Sequence, residues 1–259
     1  MVDASGFRRA VLSANNVSGQ KKRFGVGLEY EFADLSARHD HATLFVGTRF
    51  APAGYGWIFP SNKSTVRVGI GIIRPDTDTS PKEHLKDFVN SQQLDRFSVR
   101  IGDLLEMHSG VIPANRIPMN FGLGRVIAVG DSVNQALPLL GEGIRYSIEC
   151  GRKLGEIIKE GRQRGDRPSS MLLRYMKWWD ARYRWTFWLA QRVNETISRY
   201  DDAHWDRGIR RLSRLSPHDV GLLMRMELDP WMCMRIAAAN PDLPFRAIRK
   251  CAKMILHLP

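Results

Sequence analysis

A chain of 259 residues with 43% hydrophobic and 25% charged residues has the composition of an ordinary globular protein, long enough for one large domain or two smaller ones. No apolar run reaches the roughly 18 residues of a membrane span and no signal peptide opens the chain. Three widely spaced cysteines (Cys150, Cys233, Cys251) exclude a disulfide framework and a cysteine metal cluster, which points to a reducing, cytoplasmic setting. The net charge of +12 is lopsided: residues 1–150 carry 17 Lys and Arg against 15 Asp and Glu, residues 151–259 carry 22 against 12. Such a surplus serves nucleic acid, an anionic membrane surface or plain solvation. No nucleic-acid-binding motif accompanies it, so nucleic acid is set aside as a partner.

Residues 1–24 read as the end of a strand and a turn. From 25 to 74, "GVGLEYEF", "ATLFVGTRF", "YGWIFP" and "STVRVGIGII" place β-formers between Gly and Pro punctuation, the pattern of an antiparallel sheet. Ser80-Pro81-x-Glu83 opens a helix over about 80–92. Residues 110–118 return the chain to strand-rich structure, and "GRVIAVGD" is an apolar strand of the fully buried kind. Beyond Gly143 the pattern is helical. Ser147, Gly151 and Gly155 share one face of the first of these helices and would let it pack close to a sheet. A long helix rich in Trp and Arg runs to about residue 199. Ser216, Pro217 and Asp219 form a strong helix start, and a last helix is expected over Leu243–Leu256.

The junction "VGDSVNQALPLLGEGIR" carries the most chemistry. A strand ending at Asp131 puts a carboxylate at the sheet edge, where it can accept hydrogen bonds from sugar or polyol hydroxyls. The free N–H groups that open the next helix face the same crevice and suit a pyrophosphate or an anionic ring oxygen. Gly141 and Gly143 allow close approach of backbone to a ligand. A plain strand–loop–helix turn with a helix-capping Asp fits the same residues. In the sheet region Tyr55, Trp57 and Phe59 alternate, so all three point to one face as an aromatic wall. A simple sheet core facing helices would give that pattern too.

"GDSVNQALPLLGEGIRYSIECGRKLGEII" resembles the Gly-Asp flavin motif of the geranylgeranyl reductase family, flavoproteins related to the p-hydroxybenzoate hydroxylase group. Gly130, Asp131, Pro138, Gly141, Glu142, Gly143 and Ile144 match it, while Ser132, Val133 and Gln135 depart. Tyr55, Trp57, Phe59, Pro60 and Gly69 resemble the family's Tyr-x-Trp-x-Phe-Pro motif with its downstream Gly. "VDASGFR" and Leu215-Ser216-Pro217-x-Asp219 are weaker likenesses. The resemblance implies an α+β fold: the distal part of a p-hydroxybenzoate-hydroxylase-like FAD domain (1–24 and 110–165), an antiparallel-sheet substrate domain (25–109) and a helical C-terminal region (166–259).

It further implies FAD as cofactor, touched by Asp131, Gly143 and Ile144 with Gly141 and Pro138 shaping the loop, and a lipid cavity lined by Tyr55, Trp57 and Phe59. The activity implied is reduction of geranylgeranyl double bonds, with an isoprenoid membrane-lipid precursor as substrate and reduced nicotinamide or ferredoxin as electron donor. Trp178, Trp179, Trp185 and Trp188, interleaved with Lys177, Arg182 and Arg184, suit a peripheral protein on an anionic bilayer, although a domain-packing helix is the better account of most of those tryptophans. No side chain is assigned as catalytic.

The family's opening G-x-G-x-x-G unit has no counterpart here. The expectation is that the adenosine half of the site lies outside this chain, through a mis-assigned start, a truncation or a separate N-terminal nucleotide-binding subunit. Two alternatives stand beside the reductase. One is a non-catalytic fragment that binds lipid or a partner. The other is a Gly-Asp-Ser lipid esterase with Ser132 as nucleophile and Asp201 and His204 as acid and base. His39 and His108 read as surface histidines and Cys150 as a helix-packing thiol. No metal site is expected.

Overall fold

The computed structural model describes residues 1–14, 23–35, 41–61, 64–91, 93–115, 117 and 121–241. The expected helix over Leu243–Leu256 and His39 lie outside these residues. The strands are β1 (Val2–Asp3), β2 (Phe24–Asp34), β3 (Thr43–Phe45), β4 (Gly54–Pro60), β5 (Thr65–Arg74), β6 (Ile101–Pro113), β7 (Gly122–Leu123) and β8 (Val126–Ala128). The helices are α1 (Ala10–Ala14), α2 (Pro81–Asn90), α3 (Gln93–Arg96), α4 (Ile144–Arg164), α5 (Pro168–Ile197), α6 (Asp202–Leu212), α7 (Pro217–Met224) and α8 (Pro230–Ala239).

Five strands form an antiparallel sheet in the order β3-β4-β5-β2-β6. Along β5, Val66, Val68, Ile70 and Ile72 turn to one face and pack with Ile58, Phe45, Leu85 and Phe88 under α2. Each such fully buried aliphatic side chain contributes roughly 1.5–3 kcal/mol relative to exposure. The period of two leaves Arg67, Gly69 and Gly71 on the opposite face, with Tyr55, Trp57 and Phe59 beside them. The sheet extends further than the sequence pattern foretold. β6 begins at Ile101 and pairs along β2, but as an edge strand it leaves Leu104, Leu105 and Met107 exposed, so it lacks the alternation that marks a half-buried strand.

A second, smaller sheet joins β1 to β8 in parallel and β8 to β7 antiparallel. Its core is built with α4 and α5: Ile127, Ala128, Tyr146, Cys150, Leu154, Tyr175, Trp179 and Phe187 are buried together. The packed face of α4 is the one carrying Tyr146, Cys150, Leu154 and Ile157. The expected close packing through Ser147, Gly151 and Gly155 is corrected here. A methyl group at Gly151 or Gly155 would meet nothing within 4 Å, so among the described residues these two glycines make no close packing, and only Ser147, whose Oγ lies 3.1 Å from where a methyl on Gly130 would sit, approaches the end of β8.

Two helix starts are capped as their sequences dictate, whereas Ser80 at the start of α2 makes no side-chain capping bond. Ser216 caps α7 by accepting from the Asp219 amide at 3.1 Å, and Asp201 caps α6 by accepting from the His204 amide at 2.7 Å. α6 has no buried residue of its own; Asp202 ties it to the sheet by accepting from the Thr48 amide (2.6 Å) and hydroxyl (2.9 Å). Among the described residues no helix is long and apolar enough to cross a membrane.

Candidate functional site

The Gly-Asp junction leaves β8 through a single 3-10 turn, Gly130–Val133, with Gly130 at φ +70° and Asn134 at φ 59°. Gln135 explains how a loop that departs from the family pattern still holds its shape. Its buried carbonyl accepts from the Gly130 amide at 2.8 Å, and its amide meets Tyr175 Oη at 3.1 Å. The loop then folds back, with the Leu137 amide donating to Glu142 at 2.8 Å and Gly141 at φ +70°. α4 starts directly after, so Asp131, Gly143 and Ile144 come together. An Asp131 carboxylate oxygen lies 3.4 Å from where a methyl on Gly143 would sit. Ile144 is exposed, and Arg145 pairs with Glu142 at 2.6 Å. An open cleft lined by Gly141, Gly143, Ile144, Ile148 and Arg152 runs along this helix start.

On the other side of the same loop is an apolar cavity of about 530 Å³. Its sheet wall is Tyr55, Trp57, Gly27 and Gly71; its loop wall is Pro138, Leu139, Leu140 and Gly141; α5 to α8 close it with residues such as Leu189, Trp205, Ile209 and Leu223. Gly141 lines both the cleft and the cavity. Phe59 does not reach the cavity. It extends the wall by stacking on Trp57, whose ring centroid is 6.1 Å away. Tyr55 donates to the Leu140 carbonyl at 2.6 Å, and burial pushes its hydroxyl up to about 12.

Residues that sequence reasoning missed brace this arrangement. Arg23 donates to Asp76 at 2.7 Å and to Asn194 at 2.6 Å, linking β2 to α5 at the cavity rim. Asp3, fully buried, accepts from the amides of Ser5 (3.0 Å) and Leu12 (2.8 Å). Glu29 accepts the Trp57 indole N–H at 2.6 Å. Beyond it, His108 bridges Glu29 (3.2 Å) and Glu106 (2.8 Å), and Arg67 pairs with Glu31 (2.8 Å). Hydrogen bonds donated by the His108 ring to Glu106 and Glu29 raise its pKa above its ordinary value. Glutamate at an outward strand position carries no sequence signal that separates such a role from solvation.

The esterase arrangement is corrected by the same coordinates. Ser132 is fully buried, its hydroxyl within 2.8 Å of the Asp3 carbonyl and 2.7 Å of the Val129 carbonyl. Asp201 and His204 are exposed and occupied with each other at the start of α6. Ser132 meets neither of them, and its hydroxyl is engaged with backbone carbonyls. The aromatic helix α5 divides as its helical period requires: Trp179 and Tyr183 are buried, while Trp188 is exposed, stacks on Trp185 (4.8 Å) and lies beneath Arg192.

The fold is similar to that of a geranylgeranyl bacteriochlorophyll reductase-like protein from Thermoplasma acidophilum, with a TM-score of 0.77 over 98% of this chain and 61% of that one at 21% identity. It is also similar to the flavin-dependent halogenase CmlS, with a TM-score of 0.52 over 93% of this chain and 48% of that one at 16% identity. The architecture is therefore an α+β fold shared with these proteins, with an antiparallel sheet and a helical C-terminal region. Residues 24–112 match the geranylgeranyl reductase catalytic domain. A digeranylgeranylglycerophospholipid reductase from Methanopyrus kandleri is 27% identical over 219 residues, covering 83% of this chain. The chain spans 54% of that relative's length. Over these residues it is similar to members of the geranylgeranyl reductase family.

Proposed function

We propose that this chain is the part of an FAD-dependent reductase that saturates geranylgeranyl-type double bonds, acting on an isoprenoid membrane-lipid precursor. The observation that carries the reading is Gly141, which lines the cleft at the α4 start and the apolar cavity at once. A group seated in the cleft is one residue's thickness from a chain lying in the cavity.

The residues present fit FAD. The α4 start offers unpaired N–H groups to an anionic or carbonyl oxygen, Asp131 offers a carboxylate to hydroxyls, and Gly141 and Gly143 keep the approach free of side chains. Pro138 shapes the loop, and Ile144 packs beside the entry. When bound and reduced, FAD supplies a hydride. The chain's own work is to bind and dry the alkene: Tyr55 and Trp57 form the wall, Phe59 backs it, and the α5–α8 side chains exclude water. In this reading residues 25–109 are the substrate domain, 1–24 with 110–165 the cofactor domain and 166–259 the helical cover. The electron donor is a reduced nicotinamide or ferredoxin, and a separate nucleotide-binding subunit is a further candidate partner.

Placement on an anionic membrane is the finer part of the proposal. Lys177, Arg184, Trp188 and Arg192 fall on one exposed stripe of α5. Vesicles containing anionic lipid should retain the chain at low salt and release it as salt rises; no retention at any salt overturns this part.

The test of the main reading is the visible spectrum of the purified chain after incubation with FAD and removal of free cofactor. Flavin absorbance that stays with the protein is the expected result. A colourless chain overturns the assignment of Asp131, Gly143 and Ile144 as sufficient contacts. If that chain still retains isoprenoid alcohol, it is a lipid-binding fragment.

A further inference from the structure

The aromatic face of the large sheet is organised in cross-strand rows. Tyr55 pairs with Gly71, Gly71 with Gly27 and Gly27 with Gly110, so this row has no side chain after Tyr55. The next row is Trp57, Gly69, Glu29 and His108; the one after is Phe59, Arg67, Glu31 and Glu106. Apolar glycine floor therefore turns into a ladder of charges within two residues along each strand. The cavity includes Tyr55, Gly27, Gly71 and Trp57, but not Gly69, Glu29 or His108. The Trp57 indole is what stands between the two.

Two flanking rings and one polar contact fix its placement. The ring lies across Gly69, where a methyl would come within 2.2 Å of it, and reaches over Gly71 and Gly27 at 3.4 and 3.7 Å from their would-be methyls. Three glycines give it a flat seat, and Tyr55 and Phe59 flank it along the strand with ring centroids 5.8 and 6.1 Å away. The Nε1–H bond to Glu29 Oε2, 2.6 Å long, holds the ring across the floor, and Glu29 is in turn held by His108 at 3.2 Å and Arg67 at 3.7 Å. A charge-assisted bond of this kind is stronger and more directional than ring contact alone.

We propose that Glu29 is a positioning residue that sets the length of isoprenoid chain the cavity accepts, by holding the Trp57 indole as its end wall. This rests on the lipid reading of the cavity. With the acceptor removed, the ring swings off its glycine seat, the floor continues toward His108, and the next longer chain is admitted. Glu29 touches no substrate.

The experiment is calorimetric titration of the full chain with isoprenoid alcohols of three, four and five isoprene units. Wild type should show affinity falling sharply beyond one length. Glu29→Ala should move that fall to the next longer alcohol, raising the longer-to-shorter affinity ratio about tenfold, the scale at which a pocket wall discriminates single groups. Glu29→Gln, which keeps an acceptor, should retain the wild-type ranking. Trp57→Phe, which keeps a ring but no N–H, should reproduce the Glu29→Ala ranking, and adding Glu29→Ala to it should change nothing more. If Glu29→Ala does not fold, Trp57→Phe carries the test. A uniform loss of affinity at all lengths, or an unchanged ranking in both variants, overturns the proposal. Wild type that binds none of the alcohols overturns the lipid reading itself, and the inference with it.

Discussion

Tyr55 donates its phenolic hydroxyl to the carbonyl of Leu140 at 2.6 Å, joining the five-stranded sheet to the loop that follows the Gly-Asp turn. The bond sits where cavity and cleft meet, so it sets the distance between them. Tyr55→Phe removes the donor and leaves a half-buried carbonyl without its partner. The expected loss is about 1–2 kcal/mol, measured by urea denaturation, with weaker retention of FAD and isoprenoid alcohol alike. An unchanged midpoint would mean that the loop is held by other contacts.

Alkaline pH should loosen the same region. Burial raises Tyr55 from 10.0 to about 12, Tyr146 likewise to about 12, and the Cys150 thiol from 9.0 to about 12. The folded state thus holds these protons more tightly than the unfolded chain. Their contribution is complete below pH 9 and is lost as pH rises toward 12. The denaturation midpoint should fall across that window, and less steeply in Tyr55→Phe.

Gly69→Ala tests the seat of Trp57. The added methyl would lie 2.2 Å from the indole, so the ring must move, at a cost of about 1–3 kcal/mol. Gly110→Ala in the same sheet meets nothing within 4 Å and should stay within about 0.5 kcal/mol of wild type. Thermal melts of the two variants decide this; equal stabilities would sink it.

Ser132→Ala should lower stability by about 1 kcal/mol through loss of its hydrogen bonds to the Asp3 and Val129 carbonyls. It should leave any hydrolysis of a chromogenic ester by the preparation unaltered. Abolished hydrolysis would restore Ser132 as a nucleophile.

Arg23→Met removes the ionic partner of Asp76 and takes a donor from Asn194, in a place where both ionic side chains are largely buried. The expected cost is about 3 kcal/mol. Arg23→Lys should recover only part of it, because an ammonium cannot serve two partners as a planar fork does. Chemical denaturation of both variants checks the order.

Features whose cause lies within a few residues were legible in the sequence. The shared face of Tyr55, Trp57 and Phe59 follows from the strand's period of two, and the α7 start at Ser216, Pro217 and Asp219 from a cap that spans one turn. The Gly-Asp turn was legible too, because Gly130 and Gly141 adopt backbone angles that favour glycine. Which face of α4 packs was not. Ser147, Gly151 and Gly155 have the spacing of a packing stripe, but the core of α4 is selected by the large side chains of α5, which sequence spacing cannot register. The extent of β6 was hidden because an edge strand is wetted on most of its length and loses its alternation. The sequence by itself determined strands β2 to β5, the glycine turn chemistry and the start of α7. Only the tertiary structure decided that Glu29 grips Trp57, that Ser132 is sealed in the core and that Gly141 divides cleft from cavity. Each of those depends on contacts between residues far apart in the chain, where burial and hydrogen-bond geometry choose among partners that local pattern leaves equivalent.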